Sequence, residues 1–533
     1  MYLSTLKLTN FYFALKFFNE KLKLLTFGMK NQEGMKTSRL TIICLFSYFI
    51  LSSCIDKPGS NEDTSGLSAS ITPDYSGVVI PPGIAPLSFR INVPGNAYFV
   101  KFKPDSGENI EIASADGKIM IPLKQWKLFT SKNPGKEFTI EKYVKNEKGW
   151  VRFNDVKNRI ASEPIDPYLY YRIIYPGYES WAEMSINMRQ LSDFKTNTII
   201  DNGVAEDNCI NCHSFNNGKT DDFLFHMRGS LGGTYFYNGY DFKKVNLKTS
   251  EMKNSAVYPR WHPSGKYVAF SSNKIIQRFH SATDKKVEVS DLESSLVLYD
   301  VDKNEMSELH VPDNERYMDT YPEWSPDGKY IYFCRAFQIA DTFDYTTIRY
   351  NIYRMDFDIL DKSTGEPELV FDAESLGKSA SFPRISPDGR FLCFTLSDYG
   401  CFPTWHKEAD LWMTDLSKMT SSRSELNSDF SESYHSWSSN SRWLVFSSKR
   451  DDGRTARPYI SFIDESGKAS KPFVLPQKDP DFYGSFLKSF NIPEFANNRV
   501  RTNPGIIRKA SYTRPIQARW QTNTVKSLLP VDK

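Results

Sequence analysis

The sequence contains no Gly-x-Ser-x-Gly elbow and no Gly-x-x-x-x-Gly-Lys-(Ser/Thr) loop, so the signatures of an α/β-type serine hydrolase and of a phosphate-cradling nucleotidase are missing. Cysteine is scarce, seven in 533 residues, which excludes a disulfide-dense scaffold. There is no excess of basic charge: Lys and Arg number 67 against 64 Asp and Glu, a net +3 that is too small for a dedicated nucleic-acid binder. Carboxylates are scattered, and no glycosidase pair stands out. What is present is ordinary apolar material, 40% hydrophobic, with aromatics in excess at 14%. That composition excludes global disorder, and the length excludes a single small core at roughly 150 residues per domain.

The N-terminus reads as an address. Met35-Lys36-Thr37-Ser38-Arg39 precedes an apolar run from Leu40 to Leu51 and then Ser52-Ser53-Cys54. A charged segment, a short apolar segment and small residues form an export signal, and the run is too short for a permanent membrane helix. Leu51-Ser52-Ser53-Cys54 resembles a bacterial lipobox, which implies cleavage before Cys54 and lipidation of its sulfur. Met35 makes the better start, so residues 1–53 are set aside as leader. They carry a net +5, seven basic residues against two acidic, which turns the +3 of the whole into −2 for the rest. Residues 54–76 are polar and rich in Gly, Pro and Ser, the composition of a flexible tether.

Residues 77–165 show short alternating runs such as Leu87-Ser88-Phe89-Arg90-Ile91-Asn92-Val93, punctuated by Pro94-Gly95 and Asp116-Gly117. This pattern predicts a small antiparallel β-sandwich-like domain. Residues 166–231 read as a junction.

Beyond it lies an internal repeat. Tyr258-Pro259-Arg260-Trp261-His262-Pro263-Ser264-Gly265, Tyr321-Pro322-Glu323-Trp324-Ser325-Pro326-Asp327-Gly328, Phe382-Pro383-Arg384-Ile385-Ser386-Pro387-Asp388-Gly389 and Tyr434-His435-Ser436-Trp437-Ser438-Ser439-Asn440-Ser441 each precede an apolar strand. Pro-Asp-Gly pre-sets a tight turn, Pro by its fixed φ and Gly by its tolerance of positive φ. A unit of several strands that cannot bury both faces alone must stack radially on copies of itself. The fold class expected is therefore all-β: the sandwich-like domain followed by a five- or six-bladed propeller over 232–495, with 496–533 a candidate for closing it. The repeats resemble the TolB-like, WD-like propeller repeats of exported bacterial proteins over Gly232 to Asp481, most closely in the second and least in the fourth, where Ser439-Asn440-Ser441 replaces Pro-Asp-Gly. No long α/β segment follows, which argues against a prolyl-oligopeptidase-like hydrolase.

Cys209-Ile210-Asn211-Cys212-His213 is a C-x-x-C-H pentapeptide, the attachment signature of c-type haem. Two thiols three positions apart reach the two vinyl groups of one porphyrin edge, and His213 offers the iron an imidazole. Competing readings are a redox disulfide, half of a zinc site and a structural disulfide; no βαβ pattern and no second C-x-x-C pair accompany it. Downstream, Phe223-Leu224-Phe225-His226-Met227-Arg228-Gly229 offers His226, or alternatively Met227, as sixth iron ligand and Arg228 as partner of a haem propionate. Here too the chain resembles Bacteroidetes propeller lipoproteins, whose C-x-x-C-H is followed by a similar segment. The resemblance implies a membrane-anchored protein of the bacterial cell envelope, carrying haem c iron and passing electrons to a redox partner, with no nucleic acid bound. The alternatives are a binding scaffold with structural or sensory haem and, more weakly, a haem peroxidase.

Overall fold

In a computed structural model the described residues are 56–59, 63–177, 183–339 and 342–521. The leader and Cys54 lie outside them. Among the described residues no helix is long and apolar enough to cross a membrane.

The first domain is built on two sheets. One joins Ala97–Pro104, Ile110–Ser114, Glu137–Asn146 and Gly149–Ile160, with Asp63–Thr64 and Val79–Ile80 along its edge; the other joins Ile71–Thr72, Phe89–Ile91 and Lys118–Ile119. A helix that the alternation did not predict, Leu123–Lys132, lays Trp126 and Phe129 against Phe102 and Phe138. Trp126 is fully buried, and its indole N–H donates to the Ile84 carbonyl, so its polar edge is satisfied inside the core.

Six further sheets among the described residues form a β-propeller. Their innermost strands are Ser489–Ala496, Cys209–Asn216, Ala256–Trp261, Tyr317–Trp324, Ser379–Ile385 and Glu432–Trp437. Each packs against the next, and the last returns to the first, so the ring closes. Numbered from the closing blade, blades 3 to 6 carry the four repeats seen in the sequence.

The propeller begins earlier than those repeats. Strands Tyr168–Ile174, Met184–Gln190 and Thr196–Asp201 make the outer part of blade 1, and Ser489–Ala496 completes it from the other end of the chain. Blade 2 starts at Cys209 with four antiparallel strands running to Asn246. The stretch 166–231, expected as a junction, thus supplies blade strands, and closure is made by 489–496 rather than by the last residues. Ile516–Gln517 and Arg519–Trp520 instead add short parallel strands to the outer edges of blades 2 and 3.

The reason is a repeat hidden in the inner strands. In every blade the strand is bulged, and the first bulge residue has a left-handed backbone: Ile492 (φ 50°), Cys212 (51°), Tyr258 (54°), Tyr321 (53°), Phe382 (54°) and Tyr434 (48°). The next residue is Pro493, His213, Pro259, Pro322, Pro383 or His435, at a point where the ladder is interrupted and a missing N–H costs nothing. Three of the six seams are fastened by an indole at one level: Trp261 Nε1 donates to the Ser214 carbonyl, Trp324 Nε1 to Arg260 and Trp437 Nε1 to Arg384, at 3.1–3.2 Å. Cys212-His213-Ser214-Phe215 and Ile492-Pro493-Glu494-Phe495 are therefore copies of Tyr-Pro-x-Trp. The fourth turn also keeps its shape, since Asn440 accepts from Ser438 Oγ as Asp327 does from Ser325 Oγ, and Ser441 takes φ 61°.

Candidate functional site

The bulges put one residue per blade on the wall of the central channel. Tyr258, Tyr321, Phe382 and Tyr434 follow one another with ring centroids 4.4, 4.6 and 4.8 Å apart, an aromatic collar around four blades. Cys212 and Ile492 occupy the remaining two positions. Two residues further along the strands of blades 1, 3, 4 and 5 lies a charged layer, with Ser214 and Ser436 at the same level in blades 2 and 6. Arg260 Nε approaches Glu323 Oε2 at 3.0 Å and Arg384 Nη1 approaches the same oxygen at 3.2 Å, while Glu494 Oε2 stands 4.0 Å from His213 Nε2. Burial lowers the Arg384 pKa to about 9 and raises that of Glu494 to about 7, the latter against the pull of Arg260.

A cavity of about 200 Å³ opens at the collar. Cys209, Cys212 and His213 all line it, as do Arg172, Arg228 and Lys449. His213 is 3% exposed, and neither ring nitrogen makes a hydrogen bond of ordinary geometry; Glu494 and the Ile492 backbone are its polar neighbours. Burial, reinforced by the Arg172 and Arg260 charges, lowers its pKa to about 3, so the imidazole is neutral at physiological pH. Burial raises the Cys209 thiol pKa, although Arg172 and Arg228 oppose it.

The other sequence candidates fall differently. Arg228 pairs with Cys209 across the ladder and reaches the cavity. His226 and Met227, on strand Lys219–Arg228, do not line it: His226 Nδ1 is 3.1 Å from Thr234 Oγ1, and Met227 is buried in a core with Phe225 and Tyr235. Burial lowers the His226 pKa to about 4. Met184 does line the cavity. Arg172 and Lys449 were also missed, because they come from other blades, Arg172 from the preceding one, where it meets Asn211, and Lys449 from blade 6, which reaches the cavity only when the ring closes.

One wall of the cavity is a hairpin. In blade 3, Tyr267–Phe279 and Val287–Asp300 run well past the ends of their counterparts, and Ile275, Gln277, Val287 and Val289 from the extension line the cavity. It is latched to the 399–408 loop of blade 5: Glu288 Oε1 accepts from Tyr399 Oη at 2.7 Å, and His406 sits between Glu288 and Glu408, each at 3.2 Å.

Neither a family model nor a curated protein matches the sequence. Solved structures do. A nidogen/laminin complex matches at 8% identity and TM-score 0.36, over 62% of this chain and 100% of that one. The Cps50 (Swd1) β-propeller domain of Myceliophteria thermophila matches at 9% and 0.31, over 60% and 90%, and the Dos1 propeller at 14% and 0.27, over 44% and 66%.

The residues at the collar fit a c-type haem on one side. Both thiols and the imidazole border a single cavity, the imidazole is neutral and its nitrogens make no hydrogen bond of ordinary geometry, and cations stand beside it for propionates. They do not fit His226 or Met227 as sixth ligand.

Proposed function

We propose that the channel mouth holds haem c and that the chain is a lipid-anchored redox protein of the bacterial cell envelope. The observation that carries this reading is the shared cavity of Cys209, Cys212 and His213, with both His213 nitrogens buried and making no hydrogen bond of ordinary geometry. The thiols would hold the porphyrin, His213 the iron, and Arg228 a propionate. Bound there, haem supplies one-electron chemistry at its iron. The chain's own part is to keep His213 neutral, to fix it at a bulge that the whole ring supports, and to exclude water with the collar below and the blade 3 hairpin above. The outer surface of the propeller would dock the redox partner, and Cys54 would carry the lipid.

The test is an absorption spectrum of protein made in a host with haem-maturation machinery, before and after dithionite. A sharp reduced α-band, lost in Cys209→Ala with Cys212→Ala, is expected; its absence from the parent protein overturns the haem. A shift of the reduced spectrum under carbon monoxide would replace electron transfer by ligand chemistry at the iron. A partner captured equally well by the double variant would make the propeller a docking scaffold.

A further inference from the structure

The charge of the cavity wall is one-sided. Five basic residues line it, Arg172, Arg228, Arg260, Arg384 and Lys449, and among the described residues no carboxylate does. Arg260 and Arg384 share Glu323 from behind the wall, so their charge is partly answered. Among the described residues Arg172 and Lys449 have no ion-pair partner. Arg172 is 6% exposed, donates through Nη1 to the Asn211 side chain and leaves Nε without a partner. Lys449 is 7% exposed; its Nζ lies over the Trp405 ring and makes no hydrogen bond, and burial pushes its pKa well below the ordinary lysine value, so its charge is one that a bound acid group would restore. Leaving buried donors unpaired is unfavourable, more so when they are charged. Two such groups bordering the same cavity are an expense that a bound anion removes. The wall also carries apolar faces, the collar rings and Ile275, Val287 and Val289 of the hairpin, set among neutral polar side chains such as Asn211, Gln277 and Asn491.

We propose that this cavity is a binding site for a flat apolar ligand bearing acid groups, with Arg172 and Lys449 as the anchors of those groups. The inference goes beyond the haem reading. It concerns what the wall selects, and it holds whether or not Cys209 and Cys212 form thioether bonds. Neutral flat ligands are disfavoured because they leave both donors unpaired, and small hydrophilic anions because they leave the collar uncovered.

The test uses full-length chain produced without haem maturation and two fluorescent probes of nearly the same ring system: anilinonaphthalene sulfonate, which carries an acid group, and N-phenyl-1-naphthylamine, which does not. The anionic probe should bind saturably at one site per chain, at least tenfold more tightly than the neutral one. Arg172→Met and Lys449→Met should each weaken the anion about tenfold and leave the neutral probe unchanged. Lys449→Arg should retain most of the affinity, which separates lost charge from a damaged fold. Equal affinity for the two probes, or anion binding indifferent to both methionine variants, overturns the proposal. A reduced α-band in matured protein together with no preference for the anion would sink this inference alone; selective anion binding in a protein without that band would sink the haem alone.

Discussion

Cys212 and Tyr258 are the same residue of two successive blades: both open the inner-strand bulge, with φ 51° and 54°, and both face the channel. A thiol therefore stands where the neighbouring four blades place an aromatic ring. Since the bulge is formed by the ladder around it rather than by the cysteine, Cys212→Ala should change stability by less than about 1 kcal/mol while removing any covalent attachment. Thermal unfolding and mass spectrometry of the matured protein, run on the same sample, check the two halves separately.

Trp324 donates to the Arg260 carbonyl across the blade 3–blade 4 seam at 3.1 Å. Trp324→Phe keeps most of the ring but orphans that carbonyl, at a cost of about 1–3 kcal/mol. Urea unfolding with an unchanged slope and a lower midpoint is the expected result.

The hairpin latch should respond to pH. Burial opposes protonation of His406, but its hydrogen bonds to Glu288 and Glu408 outweigh burial and raise its pKa above the ordinary value of 6.5. Lys285 and Tyr399 face the same cluster, Lys285 at 3.1 Å from Glu408. Because the folded pKa is the higher one, the stabilisation is fully present below pH 6.5 and is lost as pH rises through the raised value. Proteolysis in the 280–286 turn should therefore be faster at pH 9 than at pH 6, and His406→Asn should abolish the difference.

Tyr170 ties blade 1 to the chain that follows the closing strand, accepting from Val500 N–H at 2.7 Å and donating to the Asn498 carbonyl at 3.0 Å. Tyr170→Phe should cost about 1–3 kcal/mol. Truncation after residue 488 should be far worse, because it strips blade 1 of its inner strand, leaves the edge of Tyr168–Ile174 open, and uncovers the outer edges of blades 2 and 3. Gel filtration should show aggregates for the truncation and a monomer-like profile for the point variant.

Four blades were legible because Tyr-Pro-x-Trp and the turn after it survive in a form that the eye can align. The other two were not. Ile492-Pro493-Glu494-Phe495 keeps only its proline, and in Cys212-His213-Ser214-Phe215 the haem-like spelling draws attention away from the repeat beneath it; Asn217-Gly218, a hairpin turn directly after, was the available clue. The cysteines and His213 were legible as a site. Arg172 and Lys449 were not, since no local pattern marks a basic residue whose surroundings are supplied by other blades. The helix Leu123–Lys132 escaped because ten residues show too few turns to outweigh the alternation on either side.

Pairing of Ser489–Ala496 with Tyr168–Ile174 also sets an order of events. Contacts between such distant parts of the chain form late. A chain emerging N-terminus first displays Cys209 and Cys212 on an open strand while the residues that will wall them in are still to come. Chemistry at those thiols thus has an early window, which shuts when the last inner strand seats; whatever is attached by then becomes part of the object around which the propeller is completed.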